Sequence, residues 1–401
     1  MSTTNSMRAA AVVVALVSGA FVAMSRPSTR DEATPAISAT APVAERSRPE
    51  TAERRRGVEP KVEAPAAAVA TPAVDAPAGI PPSRPSSKPA TLNDNVGLGL
   101  RWLKGRQSKD GSWHDPATTG VALLAFLAAG ETPQFGTCRE SVKSGLQHLA
   151  EIQDVDGRLA PRDSVRALRD HAVAGLALCE AYGMTGSRKL KEPAQRAVAF
   201  AMKTRTPSSG WSRPDGRLEF ETTVWMSMLV KSAKLSGLDV DDAALSDVVR
   251  ALDQVTDHET GRVDPNDDAI STETATAMAM LVRFLARRTP DDDEMLRKGV
   301  DVVVAKPPTR GPESPPDFAA WYFGTLAVWD AGPDERWPPW ARTLQAAVAG
   351  AQRTDAGDAE RGSFDPRGAS ATEADRVWAT AFSTLSVSPI TSNWYPRLKP
   401  R

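Results

Sequence analysis

Cysteine is nearly missing from this chain, whose 401 residues contain only Cys138 and Cys179. Two thiols are too few to staple a chain of this size, and no Cys-x-x-Cys pair offers a metal site. The core must therefore be held by apolar packing. An excess of charge of either sign is missing too, with 49 Lys and Arg against 50 Asp and Glu. Without a global basic field there is no footing for nucleic acid. The four histidines, His114, His148, His171 and His258, form no helical pair and no ligand spacing. No metal and no other cofactor is expected. The Gly-x-Ser-x-Gly elbow, the phosphate-binding glycine loop and the His-Glu-x-x-His helix are absent, which removes three common catalytic frameworks.

Aromatic residues are lacking over one long stretch, since no Phe, Trp or Tyr occurs between Phe21 and Trp102. Residues 26–91, rich in Pro, Ala, Ser and alternating charges, cannot form a core and are expected to be a disordered, partly polyproline linker. Ahead of them, Arg8 precedes an uncharged apolar run over 9–24. As a helix this run reaches roughly 24 Å, short of the roughly 30 Å hydrocarbon core of a bilayer. Residues 1–25 are expected to be a signal peptide, with small Ala23 and Ser25 ahead of Arg26, or a short uncleaved membrane anchor. Either reading puts the rest of the chain outside the cytoplasm, exported or tethered to a membrane, and periplasmic in a double-membrane bacterium.

What the remainder does have is a period. From Asn93 onward, amphipathic helical patterns are punctuated by Gly and Trp turns. The clearest copy is Gln107-Ser-Lys-Asp110-Gly111-Ser-Trp113, and a second is Gln153-Asp-Val-Asp156-Gly157-Arg-Leu159. Weaker copies surround Gly210 with Trp211, Gly261 with Val263, and Gly362 with Phe364. The glycines at 111, 157, 210 and 261 are separated by 46, 53 and 51 residues, and the 101 residues from 261 to 362 leave room for one more copy near Gly311. Six units of about 50 residues result. Each reads as two helices. The first helices, over 93–106, 139–152, 193–203, 241–255, 291–304 and 338–351, are amphipathic. The second, over 118–129, 172–182, 222–235, 272–285, 318–329 and 376–385, are apolar nearly all round. One wet face on the first set and none on the second is what concentric outer and inner rings demand. An open solenoid would favour shorter units with capping repeats at both ends. The expected fold is all-α, a single α6/α6 toroid over 92–396 of six inner and six outer helices, preceded by the disordered linker.

The string Gln-x-x-Asp-Gly-x-Trp at 107–113 resembles the QW-type repeat of squalene and hopene cyclases and their prenyltransferase relatives. The segments Asp317-Phe-Ala-Ala-Trp321-Tyr322-Phe-Gly-Thr-Leu326, Gly362-Ser-Phe364-Asp365-Pro366 and Arg376-Val-Trp378-Ala-Thr-Ala381 look like the ending of bacterial prenyltransferase/squalene-oxidase-repeat proteins. The resemblance covers about 92–396. It implies one barrel of the terpenoid-cyclase and protein-prenyltransferase superfamily, where triterpene cyclases carry two.

The resemblance also says which chemistry to look for. A hopene-type cyclase needs an Asp-x-Asp-Asp acid, one carboxyl of which stays protonated so that it can protonate an alkene. Asp239, Asp241 and Asp242 form such a string and are the catalytic candidates. The string opens an outer helix, however, where Asp residues cap exposed N–H groups. The cluster Asp291-Asp292-Asp293-Glu294 opens another, and capping is its role too. A zinc site of the protein-prenyltransferase kind would need Asp, Cys and His together, and Cys138 and Cys179 fall on different rings.

The inner helices should all start at one end of the ring. Asp115, His171, Glu221, Glu273 and Asp317 lie near those starts, with Trp211, Trp225, Trp321, Tyr322 and Trp378 in the same segments. Together they define a candidate polar mouth with aromatic walls, fit for an isoprenoid or a carbohydrate. Capping is the competing role for the acids. The sequence points to a non-catalytic module that binds a ligand or a protein. The alternative is a divergent isoprenoid-processing enzyme of terpenoid-cyclase or prenyltransferase type.

Overall fold

The computed structural model describes residues 91–391, except 207–208, 214–215, 242, 266–268, 311–315, 333–334 and 368–370. The expected leader or anchor, the linker up to residue 90, and Gly311 lie outside the described residues. Among the described residues twelve helices follow one another: α1 Leu92–Gly105, α2 Pro116–Ala128, α3 Arg139–Ile152, α4 Ala167–Thr185, α5 Arg188–Lys203, α6 Phe220–Leu235, α7 Ala244–Asp253, α8 Thr272–Leu285, α9 Glu294–Val304, α10 Phe318–Asp330, α11 Trp337–Ala351 and α12 Glu373–Ser386. A single short turn, α13 Ser388–Thr391, follows them. Strands are absent among the described residues, which show only isolated bridges across turns.

The even-numbered helices form the inner ring. Each packs on the next, α2 on α4 and so on round to α12, and α12 packs back onto α2. The odd-numbered helices from α1 to α9 lie outside, each wedged over two neighbouring inner helices, and α11 packs on α10 and on α1. Composition explains the division: eleven of the thirteen residues of α2 are buried, but only five of the fourteen of α3. The protein is therefore an α/α toroid, as the repeat predicts. Several helix starts are fixed by side-chain caps. Asp115 and Pro116 open α2, Ser271 opens α8, Asp317 opens α10, and reciprocal Thr–Asp capping boxes open α1 and α12. Each satisfies N–H groups that a helix leaves orphaned.

The repeated turn shows how units are joined. Gln107 donates from Nε2 to its own turn's Gly111 carbonyl at 2.8 Å and to Ser141 of the next outer helix at 2.9 Å. Gln153 does the same with Gly157 at 2.9 Å and Pro193 at 3.0 Å. Gln352 repeats the pattern across the seam, bonding Gly362 and Asn95 of α1, both at 2.9 Å. Asn95 returns a hydrogen bond from Nδ2 to the Gln352 Oε1 at 2.6 Å. The last unit thus grips the first as the earlier units grip their successors, and the ring is closed. The turn glycines are dictated by the same approach. Gly157 has φ +90°, and a Cβ there would strike the Arg196 carbonyl of α5; Gly362 has φ +101°, and a Cβ there would strike the Leu98 carbonyl of α1.

Trp113 and Trp211 drive into the gaps between the rings, both fully buried, with their indole N–H groups donating to Leu103 at 2.7 Å and Ala201 at 2.9 Å. Each wedge buries a large apolar surface and still satisfies its polar edge.

Candidate functional site

Inner helices α6 and α12 stand opposite each other in the six-membered ring, so contact between their side chains means that the axis is filled. Trp225 of α6 meets Trp378 of α12 at 6.4 Å between ring centroids and Phe382 of α12 at 6.2 Å. Phe323 of α10 closes the group at 5.6 Å from Trp225. This aromatic plug occupies the middle of the barrel. On its amino-terminal side, Trp378 donates from its indole to Thr118 at 3.0 Å and carries the Arg169 guanidinium 5.2 Å over its ring.

On the other side of the plug, towards the carboxyl ends of the inner helices, the axis opens into a recess of about 120 Å³. Tyr322 lies near its floor, packed on Phe323 at 4.9 Å and Phe382 at 5.5 Å. Aliphatic side chains from α2, α8, α10 and α12, among them Leu124, Leu281, Leu326 and Leu385, make most of the wall, and Pro389 of α13 joins them. One side differs. Glu180 of α4 and Lys231 and Ser232 of the adjacent α6 face the same space.

Both charged groups are strongly perturbed. Burial pushes the Glu180 carboxyl up to about 8, while the neighbouring Ser232 hydroxyl pulls the other way. Burial, with the nearby charges of Arg287 and Lys234, pushes the Lys231 ammonium down to about 8. Charge is disfavoured on each because the recess supplies little to replace water. Tyr322, on α10 opposite α4, is raised by burial and by Glu180. Lys231 donates from Nζ to the Leu285 carbonyl at 2.7 Å. No cation is among the groups that bear on Glu180, and the Ser232 hydroxyl beside it is buried with no partner within ordinary hydrogen-bond distance. A carboxyl neutral below about pH 8, an ammonium and the hydroxyls of Ser232, Tyr322 and Ser388 thus line a mostly apolar hollow, a composition typical of small-molecule sites.

The residues singled out from the sequence are distributed differently. Asp115 caps α2, accepting from the Thr118 N–H at 2.8 Å, and Asp317 caps α10, accepting from the Ala320 N–H at 3.0 Å. Glu221 faces Arg169 at 3.6 Å, and Glu273 pairs with Lys306 at 3.2 Å. His171 is wholly buried. Its Nδ1 accepts from the Leu159 N–H at 3.2 Å, its Nε2 lies 3.0 Å from the Ala197 carbonyl, and burial lowers its pKa to about 4. Trp211 is a wedge and Trp321 packs edge-on against Phe318. Trp225 and Trp378 form the plug. Of the ten, Tyr322 alone borders the recess.

Asp239 and Asp241 lie exposed on the outer surface. Asp241 accepts from the Ala243 N–H at 2.9 Å and pairs with Arg205 at 3.1 Å; Asp242 is outside the described residues. Asp293 caps α9, accepting from the Met295 N–H at 2.9 Å. No group of three or more His, Cys, Asp or Glu side chains converges among the described residues. None of their helices is long and apolar enough to cross a membrane.

Glu180 and Lys231 were not singled out from the sequence. The available signal was local: each is an isolated charge inside an otherwise apolar stretch of an inner helix, Leu176-Ala-Leu-Cys-Glu180-Ala and Met228-Leu-Val-Lys231-Ser.

No protein-family model matches the chain, and no curated protein matches it in sequence. Its likeness to solved structures is one of α/α toroid architecture. An inactive variant of an alpha-1,6-mannanase of Salegentibacter, in complex with alpha-1,6-mannotetrose, is 13% identical with a TM-score of 0.55, over 75% of this chain and 100% of that one. The type II terpene cyclase MstE of Scytonema is 14% identical with a TM-score of 0.52, over 74% and 98%. An alpha-amylase of Clostridium perfringens is 11% identical with a TM-score of 0.50, over 73% and 96%. At such identities the shared property is the fold, and function must be read from the site.

Proposed function

We propose that the chain is an exported or membrane-tethered binding module that takes a small, mainly apolar ligand into the recess at the carboxyl ends of its inner helices. The observation that carries this reading is the recess itself, about 120 Å³ with predominantly aliphatic walls, closed below by the aromatic plug. The apolar run over 9–24 motivates export or tethering. Among the ligand classes considered from sequence, an isoprenoid suits these walls better than a carbohydrate, whose hydroxyls would meet too few partners. MstE has been solved with geranylgeranyl dihydroxybenzoate as substrate, so a toroid of this architecture can hold an isoprenoid.

Calorimetric titration with geraniol, a ten-carbon isoprenoid alcohol small enough for the recess, tests the reading. Saturable one-site binding is expected, weakened at least tenfold in Leu124→Trp, which fills the hollow. Equal binding to a folded Leu124→Trp protein would remove the recess from consideration.

A second reading, a divergent isoprenoid-processing enzyme, is favoured by one observation. Glu180 is held protonated inside an apolar space, the state in which a carboxyl can act as an acid at neutral pH. Incubation with ten-carbon isoprenoid alkenes such as myrcene and geraniol tests it: a product that vanishes in Glu180→Gln supports the enzyme, and no product from the wild type refutes it.

A further inference from the structure

The recess has an unequal distribution of polar groups. Its polar side chains are Glu180 of α4, Lys231 and Ser232 of the adjacent α6, Tyr322 near the floor, and Ser388 of α13, whose hydroxyl donates to the Leu385 carbonyl at 2.8 Å. The remaining walls are aliphatic. Apart from Ser388, every one of these polar groups is able to donate into the recess at neutral pH: an ammonium, the Ser232 and Tyr322 hydroxyls and a carboxyl that keeps its proton. Acceptors are scarce among the side chains, and backbone carbonyls at the helix ends supply the rest. The Lys231 ammonium has three N–H bonds and directs one at the Leu285 carbonyl, leaving two. The charges that act on Lys231 are those of Arg287 and Lys234, with no carboxylate among them, and the Ser232 hydroxyl, though beside Glu180, is buried with no partner within ordinary hydrogen-bond distance. A buried cation with neither counter-ion nor full hydrogen bonding is costly, and so is a buried hydroxyl left unpaired.

Resting on the reading of the recess as a binding site, we infer that its ligand is an amphiphile with a carboxylate head and an apolar body, the head held at the Glu180–Lys231–Ser232 wall. A carboxylate is acceptor-only, so it answers the surplus of donors and neutralises the one ammonium. A diphosphate does not fit, because a single lysine cannot offset its charge in an apolar space. The carboxyl ends of the inner helices around the opening carry partial negative charge, which confines an anionic head to the lysine side. Size sets the body. At roughly 10–15 Å³ for each water-sized group, about 120 Å³ admits roughly eight to twelve non-hydrogen atoms, the size of a ten-carbon acid.

The two perturbed groups give the site a definite pH response. Below about 8, Glu180 is neutral and Lys231 charged, so the wall carries one positive charge; above about 8, Glu180 is charged and Lys231 neutral, so it carries one negative charge. The other titratable groups bearing on them are Tyr322, opposite Glu180, and Arg287 and Lys234, near Lys231. A carboxylate is therefore held on the acid side of this reversal and repelled on the other.

The test compares decanoate with 1-decanol, which share a chain and differ in the head, on the full chain at pH 6.5 and pH 9.5. Decanoate is expected to bind at least tenfold more tightly than decanol at pH 6.5 and to lose at least tenfold at pH 9.5, with decanol unchanged. Lys231→Met should abolish the preference for the acid and leave decanol within about twofold. If that variant does not fold, the pH response of the wild type decides alone. Equal affinity for acid and alcohol, or decanoate binding indifferent to pH, overturns the inference while leaving the recess as a binding site. Failure of both to bind overturns the recess reading and the inference with it.

Discussion

In five units the backbone N–H of the wedge residue is taken up by an inner-helix side chain. Thr119 serves Trp113, Thr223 serves Trp211, Thr276 serves Val263 and Thr380 serves Phe364, at 2.9 to 3.2 Å. His171 does the same for Leu159. Its burial is the price of an imidazole where the other units keep a hydroxyl. Because its folded pKa is lowered from 6.5 to about 4, its contribution is complete above pH 6.5, falls as pH drops through this window and levels off below about 4. The loss amounts to about 3 kcal/mol at about 1.4 kcal/mol per unit. His171→Thr is expected to be about 1–2 kcal/mol less stable at pH 7, for the lost contact with Phe200 and the space left behind. It should no longer lose stability through this residue between pH 6.5 and 4. Urea unfolding across that range checks both. From the sequence, a histidine near a helix start suggested a ligand at the mouth; its equivalence to four threonines became visible only when the wedge contacts could be compared.

At the scale of helices and turns, the repeat spoke clearly. The Gln, Gly and Trp positions marked the joints, and apolar runs marked the inner helices. Ends were less legible. The third outer helix is expected from the sequence over 193–203, yet α5 begins at Arg188 and carries Pro193 inside. The Pro193 carbonyl is held there by Gln153 from the preceding turn, a distant partner no local pattern reports. Turn glycines divide by what lies above them. Gly157→Ala combines positive-φ strain with a collision against α5 and should cost at least about 3 kcal/mol. Gly216→Ala, at φ +82° with nothing within 4 Å of its Cβ, should cost only about 1 kcal/mol. Denaturant midpoints of the two variants separate approach from conformation.

For the whole molecule, closure depends on a few buried amide contacts between residues about 260 positions apart. Gln352→Ala leaves Asn95 and the Gly362 carbonyl without partners in a buried seam. A loss of about 3 kcal/mol is expected, against less than about 0.5 kcal/mol for exposed Gln147→Ala, measured by thermal or urea unfolding. The ring was readable from the number and contrast of its units. The end of the barrel that opens was not. Caps and acids gather at the inner-helix starts and imitate a mouth, whereas the recess depends on which large rings meet across the axis.

That meeting has a further consequence. With Trp225, Trp378 and Phe382 joined across the centre, the toroid is a vessel and not a conduit: arrival and departure share one doorway. If the recess takes a ligand as proposed, that molecule must back out before another can take its place, so exchange would be governed by dwell time and not by any gradient across the ring.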